Sequence, residues 1–374
     1  MYLESPSVEE VLRAIATLDI TPDDVILILM GEENHLDLEA LIQQLSKRQY
    51  TFVGGIFPAV ISGETHSTAG IILKTLPAAT KPYLIRDLDQ TIDLPEFEAE
   101  VSLSEDQPLT ALVFIDGLTS QISNFLAELY NNLGNSVRYL GGGAGSLSLK
   151  QQPCIFTQEG CFRDAAVIFF TSLESQLGVQ HGWERLDGPL PATQTHRNTI
   201  KELNWQNALE VYKRAVEADS QQPITTTNFF EIAKGYPFGI VKEGQEDIVR
   251  DPIIATASGE LICVGEVPEN ALLYILRGDK HSLVKSAGIA AAEAIQRGQT
   301  HLTDILVVDC ISRVLFLGEE FGQELKALRQ ELAVAACPFS AEGILSLGEI
   351  SSYGDGFLEF FNKTIVVGAL YSPS

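Results

Sequence analysis

The sequence predicts an α+β protein of two packed domains, in which mixed β-sheets are covered by helices and built from repeated strand-helix-strand-strand units. Three observations predict it. Apolar runs of strand length, such as VILILM (25–30) and AAVIFF (165–170), alternate with helical periodicity. One four-element pattern recurs in drifted form. Thirty glycines in 374 residues forecast many tight turns or close backbone approaches.

The first copy reads as a strand over 24–30, a helix over 38–48, a strand over 50–57 and a strand over 69–76. Its helix sets Leu38, Leu41, Ile42 and Leu45 on one face at helical spacing. The second copy runs through 109–116, a helix over 123–133 with Ser123 as N-cap, then 137–145 and 164–173. Both third elements carry a glycine pair at the same offset, Gly54–Gly55 and Gly141–Gly142. The third copy is DILVVDC (304–310), a helix over 321–332, GILSLGEI (343–350) with Gly348 as the matching glycine, and KTIVVGALY (363–371). Between the second and third copies, the pattern predicts a helix over 204–216 and strands at 238–241, 253–258 and 261–267. A helix over 283–298 follows, C-capped by Gly298. The domain boundary falls near 203, giving domains 20–203 and 204–371. A Pro- and acid-rich loop, 76–108, separates the first two copies.

Composition narrows the function classes. Hydrophobic residues make 45% and charged ones 20%, as in ordinary globular chains. Asp and Glu outnumber Lys and Arg by 50 to 25, for a formal charge of −25, a field that repels phosphate backbones and anionic lipid. Neither nucleic acid nor membrane is expected as a partner. Five cysteines without a CxxC pair fit reduced thiols in a cytoplasm better than a disulfide framework or a zinc site. The start, MYLESPSVEE, has no basic or apolar signal region, and no apolar run is long enough to span a bilayer. Six scattered histidines without HxH or HExxH spacing give metal binding no support, and no cofactor is expected.

Four segments carry candidate chemistry. LGGGAGSLSL (140–149) lets a ligand or another backbone approach Gly142, Gly143 and Gly145, although it lacks P-loop and GxGxxG spacing. In LGVQHGWERLDGP (177–189), His181 offers a hydrogen-bonding ring and Trp183 an aromatic wall; a packing role is the alternative. In VDCISRVLFLG (308–318), Cys310, Ser312 and Arg313 stand at a strand's C-terminal end, where α/β proteins place binding groups. Arg313 offers a two-pronged grip on a carboxylate, or a salt bridge to Glu349. In GILSLGEISSYGDG (343–356), Glu349 sits beside a glycine with Tyr353 on the same rim, and Asn362 and Thr364 add an amide and a hydroxyl. A right-handed crossover between 304–310 and 343–350 makes those strands parallel and brings Arg313 and Glu349 to one pocket.

In this order the segments resemble the FIST family, whose N-terminal and C-terminal modules occur in bacterial signalling proteins. The residues that carry the resemblance begin with Gly142–Gly143–Ala144–Gly145, His181–Gly182–Trp183, Ala208–Leu209 and Tyr212. YPFGI (236–240), GEVPENA (265–271), DCISR (309–313), the GEI of 348–350 and N-x-T at 362–364 complete the set. Ser146 stands where the family carries an Asp. The resemblance implies sensing of a small ligand, with amino acids as the suggested class. Arg313 would then hold a carboxylate, and Glu349 and Asn362 an ammonium group, since a buried zwitterion needs both ends neutralised. A signal would pass by contact with a separate protein partner. The alternatives are a hydrolase using Cys310 or Ser312 with His181, and a protein–protein adaptor.

Overall fold

The computed structural model describes residues 1–372 except 91, 98–108, 243–245, 296–300, 336, 338 and 353–356. Its architecture is three copies of one unit closed into a ring, with a further sheet inserted in the third copy. The first unit comprises β1 (Tyr2–Leu3), α1 (Val8–Ile15), β2 (Asp24–Gly31), α2 (Leu38–Lys47), β3 (Phe52–Phe57), β4 (Ala59–Ser62), β5 (Thr65–Ser67) and β6 (Ile71–Pro77). The second comprises β7 (Tyr83–Ile85), β8 (Leu109–Asp116), α3 (Ile122–Leu133), β9 (Val137–Ala144), β10 (Ile155–Thr157), β11 (Gly160–Phe162) and β12 (Ala166–Thr171).

The third unit starts with β13 (Glu174–Gln180) and is then interrupted. The insertion holds β14 (Glu184–Pro191), β15 (Gln194–His196), β16 (Thr199–Leu203), β17 (Gln206–Asn207), α4 (Ala208–Ser220), α5 (Phe229–Ala233), β18 (Phe238–Ile240), β19 (Ile248–Ala255), β20 (Leu261–Val264) and β21 (Leu272–Arg277). The unit resumes with α6 (Lys280–Ala294), β22 (Leu302–Cys310), α7 (Ile311–Leu317), α8 (Phe321–Val334), β23 (Glu342–Ser346), β24 (Glu349–Ser352), β25 (Leu358–Phe361) and β26 (Ile365–Tyr371).

In each unit the first long strand pairs in parallel with the strand after its helix and antiparallel with the last one: β2 with β3 and β6, β8 with β9 and β12, β22 with β23 and β26. The remaining hairpin is given away. Hairpin β10–β11 of the second unit pairs with β3 of the first, β24–β25 of the third with β9 of the second, and β4–β5 of the first with β23 of the third. Each donated hairpin covers what would otherwise be an open sheet edge. Three head-to-tail donations return to the start, so the ring closes within one chain.

Alternation along the strands explains the near-continuous apolar runs. Leu27, Leu29, Leu112, Phe114, Leu306 and Val308 face one common core shared by all three sheets. The intervening residues face the helices: Ile26 and Ile28 under α1 and α2, Val113 and Ile115 under α3, and Ile305 and Val307 under α6 and α8. The fourth sheet is antiparallel throughout and joins the common core through Phe238, alongside Tyr212 of α4 and Phe229 of α5.

Several local expectations shift. Helix α3 begins at Ile122 with Gln121 as N-cap, so Ser123 lies inside it, because the Asp116 carboxylate accepts from the Leu118 N–H and turns the chain earlier. Helix α4 begins at Ala208, with the Asn207 side chain capping Glu210, while Asn204 and Trp205 form the preceding turn at positive φ. Helix α6 ends at Ala294 with Ile295 as C-cap; Gly298 lies outside the described residues. The third-unit counterpart of Gly54 and Gly141 is Gly343 rather than Gly348. By register Gly54 faces Ile28, Gly141 faces Val113 and Gly343 faces Val307. A Cβ on Gly141 or Gly343 would lie within 2 Å of the facing carbonyl oxygen, so only glycine fits that close parallel contact. The segment 343–350 is two strands in two different sheets, broken at Leu347–Gly348.

Candidate functional site

Strands β22 and β23 run parallel, with Val307 opposite Gly343 and Cys310 opposite Ser346, so their C-terminal ends lie side by side. Helix α7 starts directly after Cys310 and carries Arg313 into the interior. That guanidinium is fully buried and every N–H is used. Nε donates to Glu324 Oε1 at 2.8 Å, Nη1 to the carbonyls of His181 and Lys363, and Nη2 to the Leu283 carbonyl and Ser286 Oγ. Asp309 Oδ1 stands 3.4 Å from Nε. No donor of Arg313 is left for a ligand. Both oxygens of Asp309 and Oε2 of Glu324 accept no hydrogen bond. Burial, then the Glu324 charge, pushes the Asp309 carboxyl far above its usual range.

Glu349 belongs to the same buried cluster. Its Oε1 accepts from Ser346 Oγ at 2.6 Å and its Oε2 from the Thr364 N–H at 3.3 Å. Burial pushes it up to about 8, against these hydrogen bonds, one from the Cys310 thiol, and the weaker pull of Arg313. Burial and the Glu349 charge push the Cys310 thiol well up, which leaves it protonated and un-nucleophilic. Lys363, also buried, pairs with Asp251 at 3.1 Å and lies 4.9 Å from the Trp183 ring centroid.

The other expected residues separate. Gly142 and Gly143 lie within β9, where Gly142 pairs with Glu349 and Gly143 exchanges hydrogen bonds with Leu347 and Gly348. They and Gly145 serve close backbone contact where sheets meet. His181 accepts from the Trp183 N–H through Nδ1, faces Glu246 at 3.6 Å, and is pushed down to about 4 by burial, so its ring is neutral. Trp183 packs on Phe316 and donates to the Lys363 carbonyl. Among the described residues no hydrogen bond joins His181 to Cys310 or Ser312. Tyr353 lies outside the described residues.

Ser312 points the other way, to a cavity of about 340 Å³ between the inserted sheet and the second and third units. One wall is the turn into α3, with Leu118, Thr119, Ser120 and Ile122. The opposite wall is Arg197, Asn198, Arg250, Ile253 and the Cys263–Glu266 strand end, with Leu149, Leu347 and Phe360 adding apolar surface. The volume sits at the small end of ligand sites. Arg250, 7% exposed, donates from Nε to the Glu266 carbonyl and from Nη1 to those of Val249 and Phe360. Among the described residues it has no ion pair and its Nη2 donates to nothing. Burial pushes its pKa down. Thr119 Oγ1 and Asn362 Oδ1, both buried, are without hydrogen-bond partners, and Asn362 Oδ1 stands beside Arg250 at Gly265. Asp251 Oδ1 is a further buried acceptor without a partner, close to Ser312.

The FIST N domain matches residues 24–206, and the FIST C domain matches 208–352. The chain belongs to the FIST family. The FIST N segment supplies Gly117–Ser120, Ile122, Ser123, Leu149, Arg197 and Asn198 to the cavity, and the FIST C segment supplies Arg250, Ile253, Cys263–Glu266, Ser312 and Leu347. FIST N and FIST C are hydrogen-bonded into the same sheets, since β4 pairs with β23 and β9 with β24. No curated protein matches the chain. FIST domains are associated with sensory and signal-transduction roles. No described helix is long and apolar enough to cross a membrane, and the described residues hold no His/Cys/Asp/Glu group suited to a metal.

The sequence reading missed Arg250, Arg197 and Thr119. The available signal was the charged pair Arg250–Asp251 inside the apolar run I-V-R-D-P-I-I: a charge in a strand buried on both faces needs a partner. No sequence pattern marked Arg197 or Thr119, which meet Arg250 only in the closed fold.

Proposed function

We propose that this FIST protein is a cytoplasmic sensor that takes a small ligand, an amino acid in the family's suggested class, and signals by contact with a separate protein. The observation that carries the reading is the cavity at the FIST N–FIST C junction, where buried polar groups of both modules stand without partners. A buried donor or acceptor without a partner costs about 1–3 kcal/mol, and a ligand that completes it recovers that. Five free cysteines, three of them buried, suit a reducing compartment. The acidic surface argues against nucleic acid and membrane as partners. We place the module boundary near 203, as a division of sequence modules, domains 20–203 and 204–371, that pack as one body.

Of the ligand residues expected from the sequence, Ser312 lines this cavity and Asn362 stands next to Arg250 at Gly265. Arg313, Glu349 and Cys310 do not line it, and no donor of Arg313 remains for a zwitterion. The test is a thermal-shift screen over amino acids, small carboxylates, nucleosides, sugars and amines. A ligand at one hundred times its Kd stabilises by about 2.7 kcal/mol. For a chain of this length that raises Tm by roughly 3 °C. If no compound in any class shifts Tm, the sensor reading fails.

A further inference from the structure

We propose that the junction cavity is a carboxylate site in which Arg250 is the anchor and the ligand is a small carboxylic acid with an apolar body. This rests on the sensor reading and adds to it the anchor and the ligand's shape. Arg250 is a buried cation in a protein of net charge −25, and no carboxylate is paired with it among the described residues. The other buried cations among the described residues, Lys74, Arg313 and Lys363, each have an acid within 3.1 Å. Three backbone carbonyls hold Arg250 by Nε and Nη1, which fixes the plane of the guanidinium and leaves Nη2 for an incoming oxygen.

Three further groups converge on the same cavity. Arg197, on the β15–β16 turn, lines it with a guanidinium that makes no hydrogen bond among the described residues. Thr119 Oγ1 is buried and without a partner. The N-terminal turn of the twelve-residue α3 lines the cavity at Ile122 and Ser123, and the side chain of its cap residue Gln121, which accepts from Asn124 Nδ2, makes no capping hydrogen bond to the backbone N–H groups. Cations, a hydroxyl donor and a helix N-terminus all favour an anion. Leu118, Ile253, Leu347 and Phe360 supply an apolar part of the lining that suits an aliphatic body, while Glu266 is the one acid on the wall among the described residues. Asn362 Oδ1, next to Arg250, is a buried acceptor without a donor, so a 2-amino or 2-hydroxy group on the ligand would complete it.

The experiment compares leucine, 2-hydroxy-4-methylpentanoate and 4-methylpentanoate with 4-methylpentanamide, 3-methylbutylamine and glutarate. Tm shift and calorimetric affinity are read on the wild-type chain, Arg197→Ala and Thr119→Val. The monocarboxylates are expected to bind. The amide, amine and dicarboxylate are expected to be at least about tenfold weaker. The amino and hydroxy acids should exceed the plain acid if Asn362 takes part; equal binding of all three removes Asn362 and keeps the Arg250 anchor. Thr119→Val should weaken the acids about tenfold while leaving the ligand-free Tm unchanged or raised, because it deletes an unpartnered buried hydroxyl. Arg197 is exposed, so its removal should weaken the acids without unfolding the chain. Equal binding of amide or amine and acid overturns the proposal, as does acid binding that both variants leave unchanged. A Tm shift from another class alone, such as a nucleoside, overturns the carboxylate site while the sensor reading stands.

Discussion

Replacing Arg313 by Met keeps most of the side-chain length and removes the charge. Two fully buried acids, Glu324 and Asp309, then lose the cation that pairs with them among the described residues, with Glu324 2.8 Å and Asp309 3.4 Å from the missing Nε. Removing one member of a buried ion pair costs about 3–5 kcal/mol. That is a third or more of a typical domain's stability. At about 2.1 cal/mol/K per residue, the unfolding entropy of this chain makes the loss about 4–6 °C in Tm. Urea unfolding of wild type and Arg313→Met at pH 5, 7 and 8.5 measures this, with ligand affinity determined in parallel. Stability within about 1 kcal/mol of wild type at pH 8.5 would refute the argument. So would a loss of ligand affinity at unchanged stability, which would place the guanidinium at the ligand.

Other outcomes follow from the same geometry. Burial pushes Glu349 up to about 8, so its contribution is full below about pH 4.5 and is lost as pH rises through 8; Glu349→Gln should flatten that part of the urea-midpoint profile, and an unchanged profile counts against it. His181 is pushed down to about 4, so its contribution is full above about 6.5 and lost as pH falls toward 4; His181→Asn, which keeps an acceptor for the Trp183 N–H, should weaken that acid-side loss in a calorimetric series. Cys310→Ala should cost about 1–2 kcal/mol and leave any ligand affinity nearly unchanged, and Cys310→Trp should prevent folding. In native protein, Cys310 should react with a thiol reagent after Cys161 and Cys337, both half-buried. A fragment ending at residue 206 lacks β23 and β24, which leaves β4 and β9 without their partner strands, so it should aggregate when expressed alone. A soluble, monomeric fragment would show that the shared sheets are dispensable.

The sequence by itself determined the repeated unit. Strands 24–30, 109–116 and 304–310, their helices and the glycine pairs of the first two copies were legible because burial on both faces imposes apolar runs and a close parallel contact imposes glycine. It also carried the FIST resemblance and the parallel crossover that sets Cys310 beside Ser346. What only the tertiary structure decided was where each hairpin went and which charges met. A strand pattern states that an edge needs a partner, but the partner of β9 lies more than 200 residues away in β24. For the same reason Arg313 and Arg250 were indistinguishable as letters. Each is an arginine buried in the fold, yet α8 brings Glu324 to the first, while among the described residues no acid pairs with the second, which instead opens on a cavity. A side chain's chemistry is local, but its role depends on whether the closed fold supplies its counter-charge or leaves that place to a ligand.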